Sequence, residues 1–166
     1  GFDIADKAII QSKLDGSIIK NWKVTNTNFS RCDLNAVRVE SCVFTNVDFS
    51  AVDILSSIFS NCQFINCNFD EAHISDCDFI NSHFRKSTMT NCRFLKSIIK
   101  NSLLLETNLV SSTMLLNKYY STSFSNMTLG KCTFDYHIMR DCMFGSVKLN
   151  TGCLAYFYGC TANQLK

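Results

Sequence analysis

Apolar residues recur at every fifth position along almost the whole chain. Stepping by five from Ile4 meets Ile9, Leu14, Ile19, Val24, Phe29, Leu34, Val39, Phe44, Phe49 and Ile54, and the series runs on to Leu154. Of these 31 centres only Tyr119 carries a polar group, which a composition of 46% hydrophobic residues does not give by chance. A period of five fits neither the 3.6-residue repeat of an amphipathic helix nor the alternation of a long strand. A short unit repeated in space must supply it, and that unit is a turn of a solenoid. Two residues before each centre lies a second set of small residues: Thr27, Cys32, Val37, Cys42, Val47, Val52, Ser57, Cys62, Cys67, Ala72 and Cys77 among them. Residues two apart on an extended backbone point to the same side, so both sets face one interior. The three remaining positions of each unit carry Asp, Asn, Lys, Arg, Ser and Thr and face water.

The rule is cleanest in Cys62-Gln-Phe-Ile-Asn-Cys-Asn-Phe69, where each phenylalanine follows a cysteine by two. The units Cys67-Asn68-Phe69, Val47-Asp48-Phe49, Cys32-Asp33-Leu34 and Cys77-Asp78-Phe79 resemble the pentapeptide-repeat family, and the resemblance covers nearly the whole chain. It implies an all-β fold, a right-handed quadrilateral β-helix with four pentapeptides per coil. On that plan 31 centres make about seven to eight coils. Residues twenty apart then stack, so Phe44, Phe64 and Phe84, and likewise Val39, Phe59 and Phe79, are expected to form ring columns.

Three segments follow from the regularity. Residues 1–23 are expected to be irregular first coils or an N-terminal cap, because Lys7 and Trp22 occupy small-residue positions. Residues 24–154 form the β-helix. Beyond Leu154 the next centre would be Gly159, and the run Tyr156-Phe157-Tyr158 makes 155–166 a C-terminal cap or the start of a following domain. A chain that opens Gly-Phe-Asp with the repeat already in register suggests a fragment of something longer.

A net charge of +2 argues against direct nucleic-acid binding, and no apolar run is long enough to cross a membrane. Cys32, Cys42, Cys62, Cys67, Cys77, Cys92, Cys132 and Cys142 all hold the small inward position, where Ala, Ser or Val would serve equally, so they read as core filler and not as a disulfide framework. Reduced thiols point to a cytoplasmic location. The sequons Asn28-Phe-Ser and Asn126-Met-Thr point weakly the other way, in a chain rich enough in Asn, Ser and Thr to produce them by accident.

Function must be written on the outward positions, where two features stand out. Residues 33–78 carry Asp33, Glu40, Asp48, Asp53, Asp70, Glu71, Asp76 and Asp78 against Arg38 alone. Residues 79–131 carry Arg85, Lys86, Arg93, Lys96, Lys100, Lys118 and Lys131 against Glu106 alone. Such a two-ended rod orients a partner or stacks end to end with itself, unless these are simply solvated faces. The second feature is apolar residues at outward positions: Leu95, Ile98, Leu103, Leu105, Val110, Leu115, Leu116 and Tyr120, with Arg93, Lys96 and Lys100 as a basic rim. These eleven form the candidate partner-binding patch, the alternative being a slipped register that buries some of them. An acidic band of Asp33, Asp48, Asp53, Asp70, Glu71, Asp76 and Asp78 lies beside it.

No catalytic constellation, metal-ligand spacing or cofactor motif emerges. His73 and His83 are isolated, His137 is inward, and the repeat brings no base to a nucleophile. The reading is a non-enzymatic protein-interaction module without cofactor or metal. The family resemblance implies two settings for such a module. One is the substrate-recruiting β-helix that precedes HECT-like ubiquitin ligase domains in bacterial effectors delivered into host cytosol. The other is a DNA mimic similar to the gyrase- and topoisomerase-binding pentapeptide proteins.

Overall fold

A chain that turns every five residues needs a corner residue that tolerates left-handed backbone. From Asp6 to Asn126, and again at Asp141, the residue two past each centre adopts it, with φ between 46° and 63° at the non-glycine corners. Asn occupies many of these corners, among them Asn21, Asn26, Asn46, Asn61, Asn66, Asn81, Asn91, Asn101 and Asn126. Asn is the residue after glycine that enters this region most readily. The computed structural model describes residues 2–129, 133–135, 137–145, 148–149, 156–158 and 160–162.

Between corners run strands of two or three residues, and through Ser123–Ser125 they pair in parallel with strands twenty residues on. Asp3–Ala5 pairs with Lys23–Thr25, and Ile18–Lys20 with Arg38–Glu40. The result is a four-sided parallel β-solenoid with no helix among the described residues. The first wall is a nine-stranded sheet centred on Ile4, Val24, Phe44, Phe64, Phe84, Leu104, Phe124 and Phe144, and the fourth is an eight-stranded sheet centred on Ile19, Val39, Phe59, Phe79, Ile99, Tyr119 and Met139. The third wall, centred on Leu14, Leu34, Ile54, Ile74, Phe94 and Met114, starts as the single bridges Lys13 to Asp33 to Asp53 and becomes a five-stranded sheet. The second, centred on Ile9, Phe29, Phe49, Phe69, Met89 and Leu109, is held mostly by single bridges.

The second wall differs for a reason written in its sequence. Asn28, Asp48 and Asn68 precede their centres, and each side-chain oxygen accepts the amide two residues on, at 2.7, 2.9 and 2.9 Å. This Asx turn curls the backbone before a three-residue strand forms. The corner closes with hydrogen bonds from Cys32 N to Phe29 O and from Ala72 N to Phe69 O, giving type II turns with the left-handed residue in third place.

The interior is aromatic. Phe44, Phe64 and Phe84 stack at 5.2 and 4.7 Å with rings nearly parallel, and Phe59 stacks on Phe79 at 4.9 Å, so both predicted columns are present. Phe29, Phe49 and Phe69 form a third column. Rings on adjacent walls meet edge to face, as in Phe64 against Phe69 at 72°. Each buried ring contributes about 2–3 kcal/mol.

The inward small positions are more demanding than filler. Ser57 Oγ accepts from Val37 N and donates to Leu34 O or Leu55 O, and Asn117 accepts from Ser97 N while donating to Phe94 O. Buried backbone groups at the corners that no strand pairs are satisfied this way, a job Ser, Thr, Asn or Cys can do and Ala or Val cannot. The described inward cysteines Cys32, Cys42, Cys62, Cys67, Cys77, Cys92 and Cys142 are buried and form no disulfide. Cys132 lies outside the described residues.

The first and last described coils carry details of their own. Residues 3–20 keep the twenty-residue register from the first strand, and Lys7 is accommodated because its inward position on the end coil opens to solvent. Trp22 is half-buried, with Phe2 edge-on at 6.2 Å. At the other end the repeat resumes after a slip of two. Tyr156–Tyr158 pairs with Ile138–Arg140, and Thr161–Ala162 with Met143–Gly145, eighteen residues on instead of twenty. In backbone register Phe157 and Ala162 thereby pair with the centres Met139 and Phe144. Leu154 lies outside the described residues.

Candidate functional site

The outward positions of each coil form vertical columns, and the four walls distribute the predicted patch. Leu103 and Leu105 stand on the first wall, Val110 on the second, and Arg93, Leu95 and Leu115 on the third. Ile98, Lys100 and Tyr120 stand on the fourth wall, and Lys96 and Leu116 occupy the corner leading into it. The eleven residues are therefore not one surface. Residues seven apart in sequence face different sides of a coil whose side is five residues long, so proximity along the chain does not survive folding.

Five of the eleven do converge, and they gather three further residues. On successive coils the corner and fourth wall read Lys96, Ile98, Lys100; then Leu116, Lys118, Tyr120; then Ile138 and Arg140. Ile98 faces Lys118, which faces Ile138, and Lys100 faces Tyr120, which faces Arg140. Apolar and basic side chains alternate in both directions across a flat sheet. Neighbours are about 4.8 Å apart between coils and about 6.7 Å apart along the strand. Lys96, Lys100, Lys118 and Arg140 are exposed, as are Leu116 at 48% and Ile138 at 38%. Leu116 also sits at φ 57°, a conformation costly for a branched side chain.

Lys118 was legible only as one base among seven. Ile138 and Arg140 were not singled out at all, although counting twenty residues on from Lys118 and Tyr120 reaches both. Lys131 lies outside the described residues.

The acidic residues occupy the other side. Asp48 and Asp70 lie on the second wall, Asp33 and Asp53 on the third, Glu71 at the corner between those two walls, and Asp76 at the following corner; only Asp78 and Glu40 reach the fourth wall. Several carboxylates are matched locally, with Lys13 near Asp33 at 4.0 Å, Lys20 on Glu40 at 2.7 Å and His73 on Asp53 at 3.5 Å. Lys86 reaches Glu106 at 3.9 Å. Among the described residues no ion pair engages Lys96, Lys100, Lys118 or Arg140.

The titratable groups of the interior are quiet. Burial pushes the thiols of Cys67 and Cys92 up to about 12 and those of Cys77 and Cys142 up to about 11. Cys42 and Cys62 stack on adjacent coils; a hydrogen bond from Cys62 lowers Cys42, and the same bond together with burial raises Cys62. His73 lies between Asp53 and Arg93 as the stacking predicts, and His137 is buried with Nδ1 3.3 Å from Asn117 O. No group of three or more His, Cys, Asp or Glu positioned for a metal ion occurs among the described residues. Nor is any helix of the described chain long and apolar enough to cross a membrane.

The architecture defines a β-solenoid of five-residue units, and solved pentapeptide-repeat structures share it. A trypsin-treated variant of QnrB1, a plasmid-mediated fluoroquinolone resistance protein, superposes with a TM-score of 0.67 at 15% identity, covering 98% of this chain and 92% of that one. A pentapeptide repeat protein from the Arabidopsis thaliana thylakoid lumen gives 0.47 at 14% identity over 62% and 65% of the two chains. HetL, involved in heterocyst differentiation regulation in the cyanobacterium Nostoc, gives 0.34 at 9% over 97% and 87%. At 15% identity the likeness to the QnrB1 variant speaks to the fold alone. Residues 4–94 match the family model of the SV2A/B/C luminal domain, and the chain belongs to that family. No curated protein matches it.

Proposed function

We infer that this chain is a non-catalytic recognition module that presents the fourth wall of a rigid β-solenoid to a protein partner. The observation that carries the reading is the alternating grid of Lys96, Ile98, Lys100, Leu116, Lys118, Tyr120, Ile138 and Arg140 on one flat sheet. A solenoid fixes such a grid before any partner arrives, so little ordering entropy opposes binding. The unpaired cations and the exposed, strained Leu116 are features that stability alone does not favour.

The family description supports a luminal setting over a cytoplasmic one. Buried thiols with raised pKa values are protected kinetically, so reduced cysteines no longer argue for a reducing compartment. The effector-ligase expectation draws no support from the family match. The DNA-mimic alternative asks for a continuous acidic rod, whereas the acids here cover mainly the second and third walls and the fourth is basic toward the C-terminal end.

Affinity capture with immobilised protein tests the reading. Ile98→Asp, Leu116→Asp and Tyr120→Asp together should abolish specific capture while circular dichroism stays β-rich. The triple variant Leu95→Asp, Leu105→Asp, Leu115→Asp, spread over two other walls, should retain it. The opposite pattern would move the site off the fourth wall.

A further inference from the structure

Resting on the recognition reading above, we propose that the fourth wall binds an acidic polypeptide segment with interspersed apolar residues, laid in extended form across the grid. Charge complementarity decides the sign. Three successive coils of this wall carry Lys100, Lys118 and Arg140, with Lys96 at the entering corner, and no carboxylate stands among them. The nearest acids border the grid: Asp76 at the corner one coil below Lys96, Asp78 one coil below Ile98, and Asp141 at the corner after Arg140. Elsewhere on the same wall charges of both signs alternate, as Lys20, Arg38, Glu40 and Asp78 show, so the single sign is local to the grid.

The apolar members decide the chemical class. Ile98, Leu116, Tyr120 and Ile138 alternate with the cations in both directions, so any ligand that meets the charges also meets these side chains. A sulfated polysaccharide satisfies the cations and leaves the apolar positions wet. A polypeptide whose same-face residues, two apart along the chain, alternate carboxylate and apolar matches both, because that two-residue spacing of about 6.7 Å equals that of the wall. The cations add steering at long range, and the apolar contacts hold the complex once docked.

The test uses the whole chain and a fluorescent peptide repeating Glu-Ser-Leu-Ser, which sets Glu and Leu alternately along one face of an extended backbone, read by anisotropy. Three comparison probes accompany it: a Gln/Leu peptide, polyglutamate and heparin. The Glu/Leu peptide should bind, weaken as salt rises, and lose at least about tenfold in affinity with Lys100→Glu, Lys118→Glu and Arg140→Glu combined. Arg85→Glu on the first wall should leave it unchanged, and thermal melts should show each variant folded. Three outcomes overturn the proposal: Gln/Leu peptide binding as tightly as Glu/Leu, heparin or polyglutamate binding as tightly with no loss in Ile98→Ser and Tyr120→Ser, or no sensitivity to the charge reversals. Concentration-dependent self-association in sedimentation, abolished by the same reversals, would also overturn it by making a second copy's acidic band the occupant. If the peptide fails while partner capture still depends on Leu116, the acidic class falls and the recognition reading stands.

Discussion

Leu116 sits one coil above Lys96 at the same corner of the solenoid, and both hold left-handed backbone, at φ 57° and 49°. Neither residue is chosen by that conformation. A leucine there forgoes roughly 1–2 kcal/mol relative to a residue at ease in it, and its side chain remains 48% exposed. Leu116→Asn should therefore raise stability by about 1 kcal/mol, seen as a higher urea midpoint at unchanged slope, while weakening partner capture. A destabilised variant would show that Leu116 is held by packing and is no recognition residue.

The corner between the first and second walls shows the opposite solution. Asn46 Nδ2 donates to Asn26 Oδ1 at 3.0 Å, Asn66 donates to Asn46 at 2.8 Å, and Asn26 continues the ladder to Asp6. Asn46→Ala breaks two rungs and places a Cβ residue without local hydrogen bonding at φ 54°, for an expected loss of about 2 kcal/mol. Asn46→Gly removes the rungs but relieves the backbone and should cost less. Equal losses in chemical denaturation would mean that the ladder carries the whole effect and the backbone none.

How much of this was legible follows the physics of each feature. The centres, their inward direction and the ring columns at Phe44, Phe64 and Phe84 depend on local alternation and a fixed period, both of which the sequence displays directly. The site depends on which outward residues share a wall. Leu95 and Leu103 are eight apart and look adjacent, yet they stand on the third and first walls; Lys118 and Ile138 are twenty apart and touch across coils. The hydrogen-bonding duty of Ser57 was hidden because a small residue and a small hydrogen-bonding residue look alike in a pattern of volumes. The C-terminal strands were hidden by a two-residue slip that a fixed step of five cannot follow.

Ser57 makes that duty measurable. Ser57→Val puts two methyl groups in place of one hydroxyl, as in the valine that fills the same column at Val37, and strips Val37 N of its acceptor. A loss of about 1–3 kcal/mol is expected from the unsatisfied buried amide, with Ser57→Cys losing less. Indifference to Ser57→Val in urea melts would return the inward positions to simple filler.

The buried thiols predict a fall in stability at alkaline pH. Cys67 and Cys92 are raised to about 12 and Cys77 and Cys142 to about 11, from an ordinary 9.0, with burial as the leading cause. A folded-state pKa above the unfolded one favours the protonated thiol in the native state. Its contribution is complete below pH 9 and is lost as pH rises toward the folded values. Denaturant midpoints should thus fall between pH 9 and pH 11, and Cys92→Ala should flatten that fall by its share. Thiol-specific reagents at neutral pH should label Cys67 and Cys92 only as fast as the solenoid opens.

The proposed luminal setting has its own test in the two sequons. Asn126 is exposed at a corner, with Met127 turned inward and Thr128 exposed, so a glycan there projects away from the rod. Asn28 is half-buried on the second wall, and its Oδ1 accepts Ser30 N at 2.7 Å in the turn. A glycan on Asn28 would have to coexist with that turn, whereas Asn126 has no such engagement to keep. Expression through a secretory pathway should give a glycosidase-sensitive gel shift that Asn126→Gln removes, and the glycosylated protein should melt no lower than the unglycosylated one. Corner Asn126 lies between the first and second walls, away from the fourth, so the glycan should also leave capture by the recognition grid intact. A chain that leaves the secretory pathway unmodified, or folds only when Asn126 is mutated, would turn the assignment back toward a cytoplasmic protein.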